Sequence, residues 1–423
     1  YEIISKDKAA EDIEFYFTLI DQQHGNPYEY ISRDDFKKLV IKKIEALPET
    51  ITNEHFSSIL LELNQNIRCG HTSVTPDVKL IKRAADQANF FPYPISIIND
   101  EIYIDFEDGD LPHASKIESI NGVESSVLLS DLIALTNTDG FIETKKRREL
   151  ESRFGYYFYM KYGASTSFDV SYSFNGATEK AAITGITSNV MLANNYYRPL
   201  YKSHERYYHF THLDAIDSLH TLVLTLNTFQ ANPEWFYERI ASRYNKASKA
   251  FDFDNLVLDL RGNEGGDRRL LNILYQIIAG KDINDPSNTR IQTSEIGNTN
   301  RLTAINGNFS SKEVVNNAQS YLKKYFINQD GDNFSSETQN WYDEFKLDFD
   351  MESMRFEGNV YVLTSGKTFS AAADLARILS PLDHVTLVGE ETGGAHKGRT
   401  ANMLLNYVLP NSKLNIQVPV IYE

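Results

Sequence analysis

Apolar residues recur through the first part of the chain at the spacing of one helix face. Phe56, Ile59, Leu60, Leu63 and Ile67 form the clearest stripe, with Thr52 or Asn53 placed to cap it. An earlier helix is predicted from Ser32, with Asp35 three residues on in a capping-box-like start, burying Phe36, Leu39, Val40 and Ile44. The pattern predicts a helical N-terminal domain over residues 1–85. From about 90 to 190 the period shortens to alternating runs such as Ile95 to Ile98 and Glu101 to Phe106, and Asn121-Gly122 between two apolar runs is a hairpin-turn signal. A helix containing Leu128, Leu129, Leu132 and Ile133 and an aromatic amphipathic stretch from Phe154 to Tyr162 complete a β-rich domain assigned to 86–205.

Beyond about residue 215 strands alternate with helices, which predicts an α/β layer with substantial parallel pairing over 206–423. Leu222 to Leu226, Leu256 to Leu260, Val360 to Thr364 and Val385 to Val388 read as strands. Pro233 to Lys249, Leu270 to Ile278 and Phe369 to Leu379 read as helices. Residues 281–355 break the rhythm: they are rich in Asn, Ser and Asp, hold one predicted helix near Val314 to Tyr325, and are too long for an ordinary connection. They read either as an insertion over a site or as a solvated surface excursion.

Length and composition narrow the function. At 423 residues, with 41% apolar and 24% charged residues, the chain is too long for one small core and too apolar for disorder. A net charge of −16 with no basic run argues against nucleic acid as a partner. The single cysteine, Cys69, excludes an internal disulfide and a Cys-rich metal site, and no apolar stretch is long enough to span a bilayer. The chain opens on Tyr1 and stops inside a predicted strand, which fits a signal or lipoprotein leader already removed.

Two segments could carry chemistry. In Leu256 to Gly266 a buried strand runs into the turn Asp259-Leu260-Arg261-Gly262-Asn263-Glu264-Gly265-Gly266 at a helix start. Free amides there could hold a phosphate or an oxyanion, but the turn lacks the P-loop and GxGxxG spacings, and a plain strand-to-helix connection would look the same. In the second segment a strand ends in Thr364-Ser365-Gly366-Lys367-Thr368-Phe369-Ser370, and Ser370 opens the Ala-rich helix Ala371-Ala372-Ala373. Ser370 reads either as a nucleophile whose alkoxide the helix dipole stabilises or as a simple N-cap.

In this order the two segments resemble the C-terminal processing and tricorn-type serine peptidases. The family's D-L-R-x-N-x-G-G, T-x-S-A-x-E/D and V-G-E-x-T-x-G patterns read here as Asp259 to Gly266, Thr368 to Asp374 and Val388 to Gly394. Gly70-His71-Thr72 is similar to the family's D-G-H-T segment with Cys69 in place of the Asp. Ile117 to Gly122 resembles the PDZ-related insert of exported bacterial members, and Leu409-Pro410-Asn411-Ser412 fits the same branch.

The resemblance implies a helical N-terminal domain, a PDZ-like insert and a crotonase-like α/β catalytic domain. It implies peptide-bond hydrolysis through an acyl-enzyme, with Ser370 as nucleophile and the amides of Ala371, Gly265 and Gly266 holding the oxyanion. It also implies a peptide or unfolded-protein substrate, no metal or organic cofactor, and a periplasmic or cell-envelope location. Members of one branch use a Ser-Lys dyad, but Ala395 stands at the dyad position and Lys397 lies two residues on. The other branch takes its base from G-H-T, which points to His71, a group near neutral pKa that needs no strong desolvation. The acid orienting His71 is a downstream glutamate in the family; Glu423 is a remote candidate, and Glu390 and Glu391 are alternatives with an equally good reading as solvated turn residues. His209 and His212 lack a carboxylate in a helical metal frame and read as non-ligating. A non-catalytic peptide- or apolar-ligand-binding protein on the same scaffold is the competing reading.

Overall fold

In the computed structural model, which describes residues 3–75, 89–196, 211–250, 252–331 and 333–423, the N-terminal stripes form helices α1 (Lys6–Gln23), α2 (Arg33–Glu45) and α3 (Asn53–Asn64). The predicted caps form. The Ser32 side chain accepts the Asp35 N–H and that of Thr52 accepts the His55 N–H, so each satisfies a donor the helix cannot. Tyr16, Phe36, Phe56 and Leu60 are fully buried where these faces meet.

The following β-rich unit pairs Ile95–Ile98, Glu101–Ile104, Lys116–Ile120, Ser167–Phe174 and Ala177–Thr184 in that order. Asn121 (φ 52°) and Gly122 (φ 78°) are both left-handed, the two-residue hairpin geometry that Asn-Gly favours. Helices α4 (Ser125–Ile133), α5 (Glu143–Tyr162) and α6 (Ser188–Tyr196) complete the unit. The aromatic stretch is the second half of α5; its first half, Glu143-Thr144-Lys145-Lys146-Arg147-Arg148, is too charged to show a stripe. The boundaries expected at 85/86 and 205/206 lie outside the described residues.

The α/β layer is a five-stranded sheet in the order Thr211–Ile216, Thr221–Leu226, Asn255–Asp259, Asn359–Thr364, Val385–Gly389. Its first pair is antiparallel and the others are parallel. Helices α7 (Pro233–Ala250), α8 (Arg268–Ala279), α9 (Lys312–Tyr325) and α10 (Ala371–Leu379) follow. Those numbered α7, α8 and α10 share an apolar core with the sheet, around Leu224, Leu258, Val360 and Val362.

The segment 281–355 is more than an excursion around one helix. Besides α9 it supplies short strands to a second, eight-stranded sheet, where Leu302–Ile305 pairs Thr400–Val408 and Arg290–Ile291 pairs the last strand, Asn415–Tyr422. Strands this short leave no period-2 pattern to read. Ser73–Thr75, just after His71, adds to the same last strand in the register Thr75 with Asn415 and Ser73 with Gln417. The N-terminal helices, the β-rich unit and this sheet share the other apolar core.

Asp12 fixes α1 to the turn between the two long C-terminal strands. Its buried carboxylate accepts the Ser412 N–H (2.7 Å) and Oγ–H (2.5 Å) on one oxygen and the Asn411 N–H (2.9 Å) on the other. Asp12→Ala strands these donors, and the expected outcome is a loss of about 2–4 kcal/mol, read as a lower urea midpoint at unchanged slope.

Candidate active site

Helix α10 begins two residues later than the Phe369 start read from the sequence, and Ser370 is the reason. Its backbone is at φ 52°, ψ −126°, a left-handed conformation outside helix and strand, and its side chain makes no capping hydrogen bond. A capping serine has extended dihedrals and an Oγ turned back on the helix, so this serine is not a cap. Holding a non-glycine residue there costs on the order of 1–3 kcal/mol, which the surrounding turn must offset. It does so through Thr368, whose hydroxyl donates to Leu260 O (2.8 Å) and accepts the Ser365 N–H (3.0 Å), and through Phe369 N–H on Asn263 O (3.0 Å).

The two glycine-bearing segments therefore meet. A Cβ on Gly265 would sit 2.8 Å from both Phe369 O and Ser370 Cβ, and its φ of 94° is itself one that side chains disfavour. The Gly265 N–H is already donated to Asn263 Oδ1 (2.8 Å), which removes it as a free donor. No hydrogen bond engages the amides of Gly266 and Ala371 among the described residues.

His71 arrives from the other core. Its Nε2 is 3.0 Å from Ser370 Oγ, and its ring lies on Phe369 with centroids 4.6 Å apart. Gly70 is required at the preceding position, since a Cβ there would stand 2.7 Å from the Phe369 ring. With Nε2 accepting from the serine, the ring proton sits on Nδ1, which is buried and has no hydrogen-bond partner among the described residues. Burial holds the imidazole pKa below its ordinary value; the Asp139 carboxylate opposes this, and Arg399 and Lys145 add to the lowering.

The other sequence candidates divide clearly. Lys397 is exposed and does not line the cavity. Glu390 accepts both Arg148 Nε (3.0 Å) and Nη2 (2.8 Å), joining the catalytic unit to α5, while Glu391 is exposed. Glu423 does reach the cavity wall, yet its carboxylate is taken by Arg268 (2.7 Å) and Arg399 (2.9 Å). Those guanidiniums hold its pKa down to about 2 against the opposing effect of burial. Asp374, one turn beyond Ser370, is buried in the same cluster with Arg399 (2.7 Å) and Tyr342 (3.0 Å), and its pKa is also lowered. His209 lies outside the described residues, His212 bonds Asp214 (2.6 Å), and no metal-binding cluster occurs among the described residues. Cys69 is buried, its thiol pushed up to about 12.

Ser370, His71 and Gly266 open on a cavity of about 690 Å³. Its far wall is apolar and comes from the 281–355 segment: Val314, Ala318, Tyr321, Phe326 and Trp341. An extended peptide beside Ser370 would lie between this wall and the arginine cluster. Sequence reasoning missed Asn263 and Asp374, although both stand inside the quoted motifs. It also missed Arg268 and Arg399, which have no local signal, whereas the wall is the 281–355 segment that one of its two readings placed over a site.

Residues 220–422 match the model of Peptidase family S41. No curated protein matches the chain. Among solved structures, mature CPAF complexed with lactacystin is similar at a TM-score of 0.64 and 13% identity, over 98% of this chain and 90% of that one. Mature CPAF alone is similar at 0.62 and 13%, over 98% and 89%. At that identity the two structures establish a common fold. No helix among the described residues is long and apolar enough to cross a membrane. Residues 220–422 therefore carry the sequence pattern of peptidase family S41, which supports a serine-type peptidase acting on peptide or protein substrates.

Proposed function

We propose that the chain is an endopeptidase that cleaves unstructured polypeptides or C-terminal tails through an acyl-enzyme, with Ser370 as nucleophile and His71 as general base. The observation that carries this reading is the 3.0 Å contact between His71 Nε2 and the Oγ of a serine held left-handed and free of any capping role. Ser370 Oγ attacks the scissile carbonyl carbon as its proton passes to His71 Nε2. The imidazolium returns that proton to the leaving amine, and water, deprotonated by the same nitrogen, hydrolyses the ester. The unengaged amides of Gly266 and Ala371 hold the oxyanion, assisted by the N-terminus of α10; Gly265 serves by its missing side chain. No metal or organic cofactor takes part. The β-rich unit acts as a PDZ-like module that captures an extended chain by strand addition, and the enzyme works in an extracytoplasmic compartment.

Four outcomes test this. Ser370→Ala should abolish labelling by a fluorophosphonate probe and lower casein hydrolysis about 10⁴-fold or more, with stability changed by no more than about 1 kcal/mol. His71→Ala should be nearly as inactive and Lys397→Ala fully active; an active histidine variant beside a dead lysine variant overturns the base assignment. Because only neutral His71 accepts the proton and burial lowers its pKa, the acid limb of kcat/KM should lie below 6.5. A limb above that value would contradict the assignment. Finally, Glu124→Arg on the exposed hairpin should reduce kcat/KM for long peptides and leave a short ester unaffected. Equal effects on both substrates would remove the capture role.

A further inference from the structure

The turn Arg68 to Thr72 that carries His71 belongs to neither helix nor strand, so its backbone polar groups depend on side chains and loops from elsewhere. Several of these partners come from one loop, between α4 and α5 of the β-rich unit. Asn137 Nδ2 donates to Cys69 O and to Thr72 O (2.9 Å), bracketing His71 on both sides. Asp139 Oδ1 accepts the Gly70 N–H (2.6 Å), and Gly140 N–H donates to Arg68 O (2.9 Å). The Arg68 guanidinium in turn lies 4.0 Å from the Phe141 ring centroid. The second Asp139 oxygen accepts the Ala395 N–H (3.3 Å), in the loop whose Gly394 packs against Ala373 and Ser370. Asp139 is 1% exposed, so both bonds are made away from competing water. One carboxylate thus joins the base's turn to the loop behind the nucleophile.

We propose that Asn137 and Asp139 are positioning residues for His71: they hold the imidazole at bonding distance from Ser370 by gripping the turn on both sides of it. The inference rests on the reading of Ser370 and His71 as nucleophile and base. Three further holds on the turn are Gln417 Nε2 on His71 O (2.8 Å), Asn64 Nδ2 on Thr72 O (2.9 Å) and His24 Nε2 with Thr72 Oγ1 (3.0 Å). These lie on the side of Thr72 and the following strand. Among the described residues Cys69 and Gly70 are held by the α4–α5 loop and otherwise by one long bond from Cys69 Sγ–H to Thr400 O (3.4 Å), so without the loop the turn can swing about its strand end. The charged groups that act on the imidazole are Asp139 from this loop, Lys145 from α5, Arg399 and Glu423 from the C-terminal hairpin, and His24 from the end of α1. Of the two carboxylates, Asp139 acts more strongly, and Glu423 is committed to arginines.

The test uses the full chain with Asn137→Ala and Asp139→Asn. The second keeps the size and one acceptor oxygen of the aspartate while removing its charge. Three quantities are read: the rate of fluorophosphonate labelling against pH, kcat and KM for a short ester, and the titration of His71 by NMR on histidine-labelled protein. In Asn137→Ala, labelling and kcat should fall about 10–100-fold with KM unchanged, the effect of a misplaced base on a site that still binds. In Asp139→Asn the acid limb and the His71 titration should both also move to lower pH, since a charge favouring the imidazolium is gone. A purely structural role would lower the melting temperature and move neither. Folded variants that label, turn over and titrate like the parent overturn the proposal. A parent chain that is never labelled overturns the nucleophile reading instead. The NMR titration still decides the Asp139 contact in that case, because it needs no activity.

Discussion

The pairing of Ser73–Thr75 with the last strand is the constraint on which the site depends. His71 lies between Cys69 and Val74 of one apolar core and Ser370 beside Ala371 of the other, 299 positions apart, and a short run of ladder bonds sets where the imidazole enters the seam between them. Three backbone pairs cannot hold that position alone. The seam is closed elsewhere as well: Arg148 grips Glu390, and Gly366 lies so close to Thr144 O that any side chain would collide with it. The β-rich unit is therefore part of the catalytic frame as well as a neighbour of it.

Beside Ser370 lies a buried cluster of opposite charges. Asp374 and Glu423 can be ionised away from water because Arg268 and Arg399 stand between them and Arg377 also pairs with Asp374, and removing one partner would leave a poorly compensated charge. This cluster pins α10, α8 and the chain's last residue together beside a strained serine. It also commits Glu423 to guanidinium partners, and burial is the largest influence on the His71 imidazole, opposed by the Asp139 charge. A base kept neutral by desolvation is ready to accept a proton near neutral pH, whereas an imidazole tightly paired to an acid would have its pKa raised.

Much of this was legible in the sequence. Apolar runs of the parallel strands, the caps at Ser32 and Thr52, the Asn121-Gly122 hairpin and the two glycine-bearing turns all follow from interactions within a few residues, where spacing and turn chemistry dictate the outcome. The pairing of Ser370 with His71 came from ordered motifs that resemble a family, and the structure brings those two side chains to bonding distance. The N-cap alternative for Ser370 could be dismissed only from its dihedrals, because a capping serine and a strained one look alike as letters.

Other features had no local cause to read. The segment 281–355 could be read either as an insertion over the site or as an excursion, because strands of two to four residues gain their order from partner strands, some about a hundred positions away. Arg268 and Arg399 are ordinary surface-type residues until burial beside two carboxylates makes them obligatory. Asn137 and Asp139 sit in a polar run that reads as a simple turn, and their partners lie 65 to 256 positions away. Sequence by itself determined the elements and the residue types that could do the chemistry, since these are set by short-range periodicity and backbone preference. Tertiary structure alone decided which of those residues share a site, because hydrogen bonds and ion pairs across a seam are selected by packing in three dimensions.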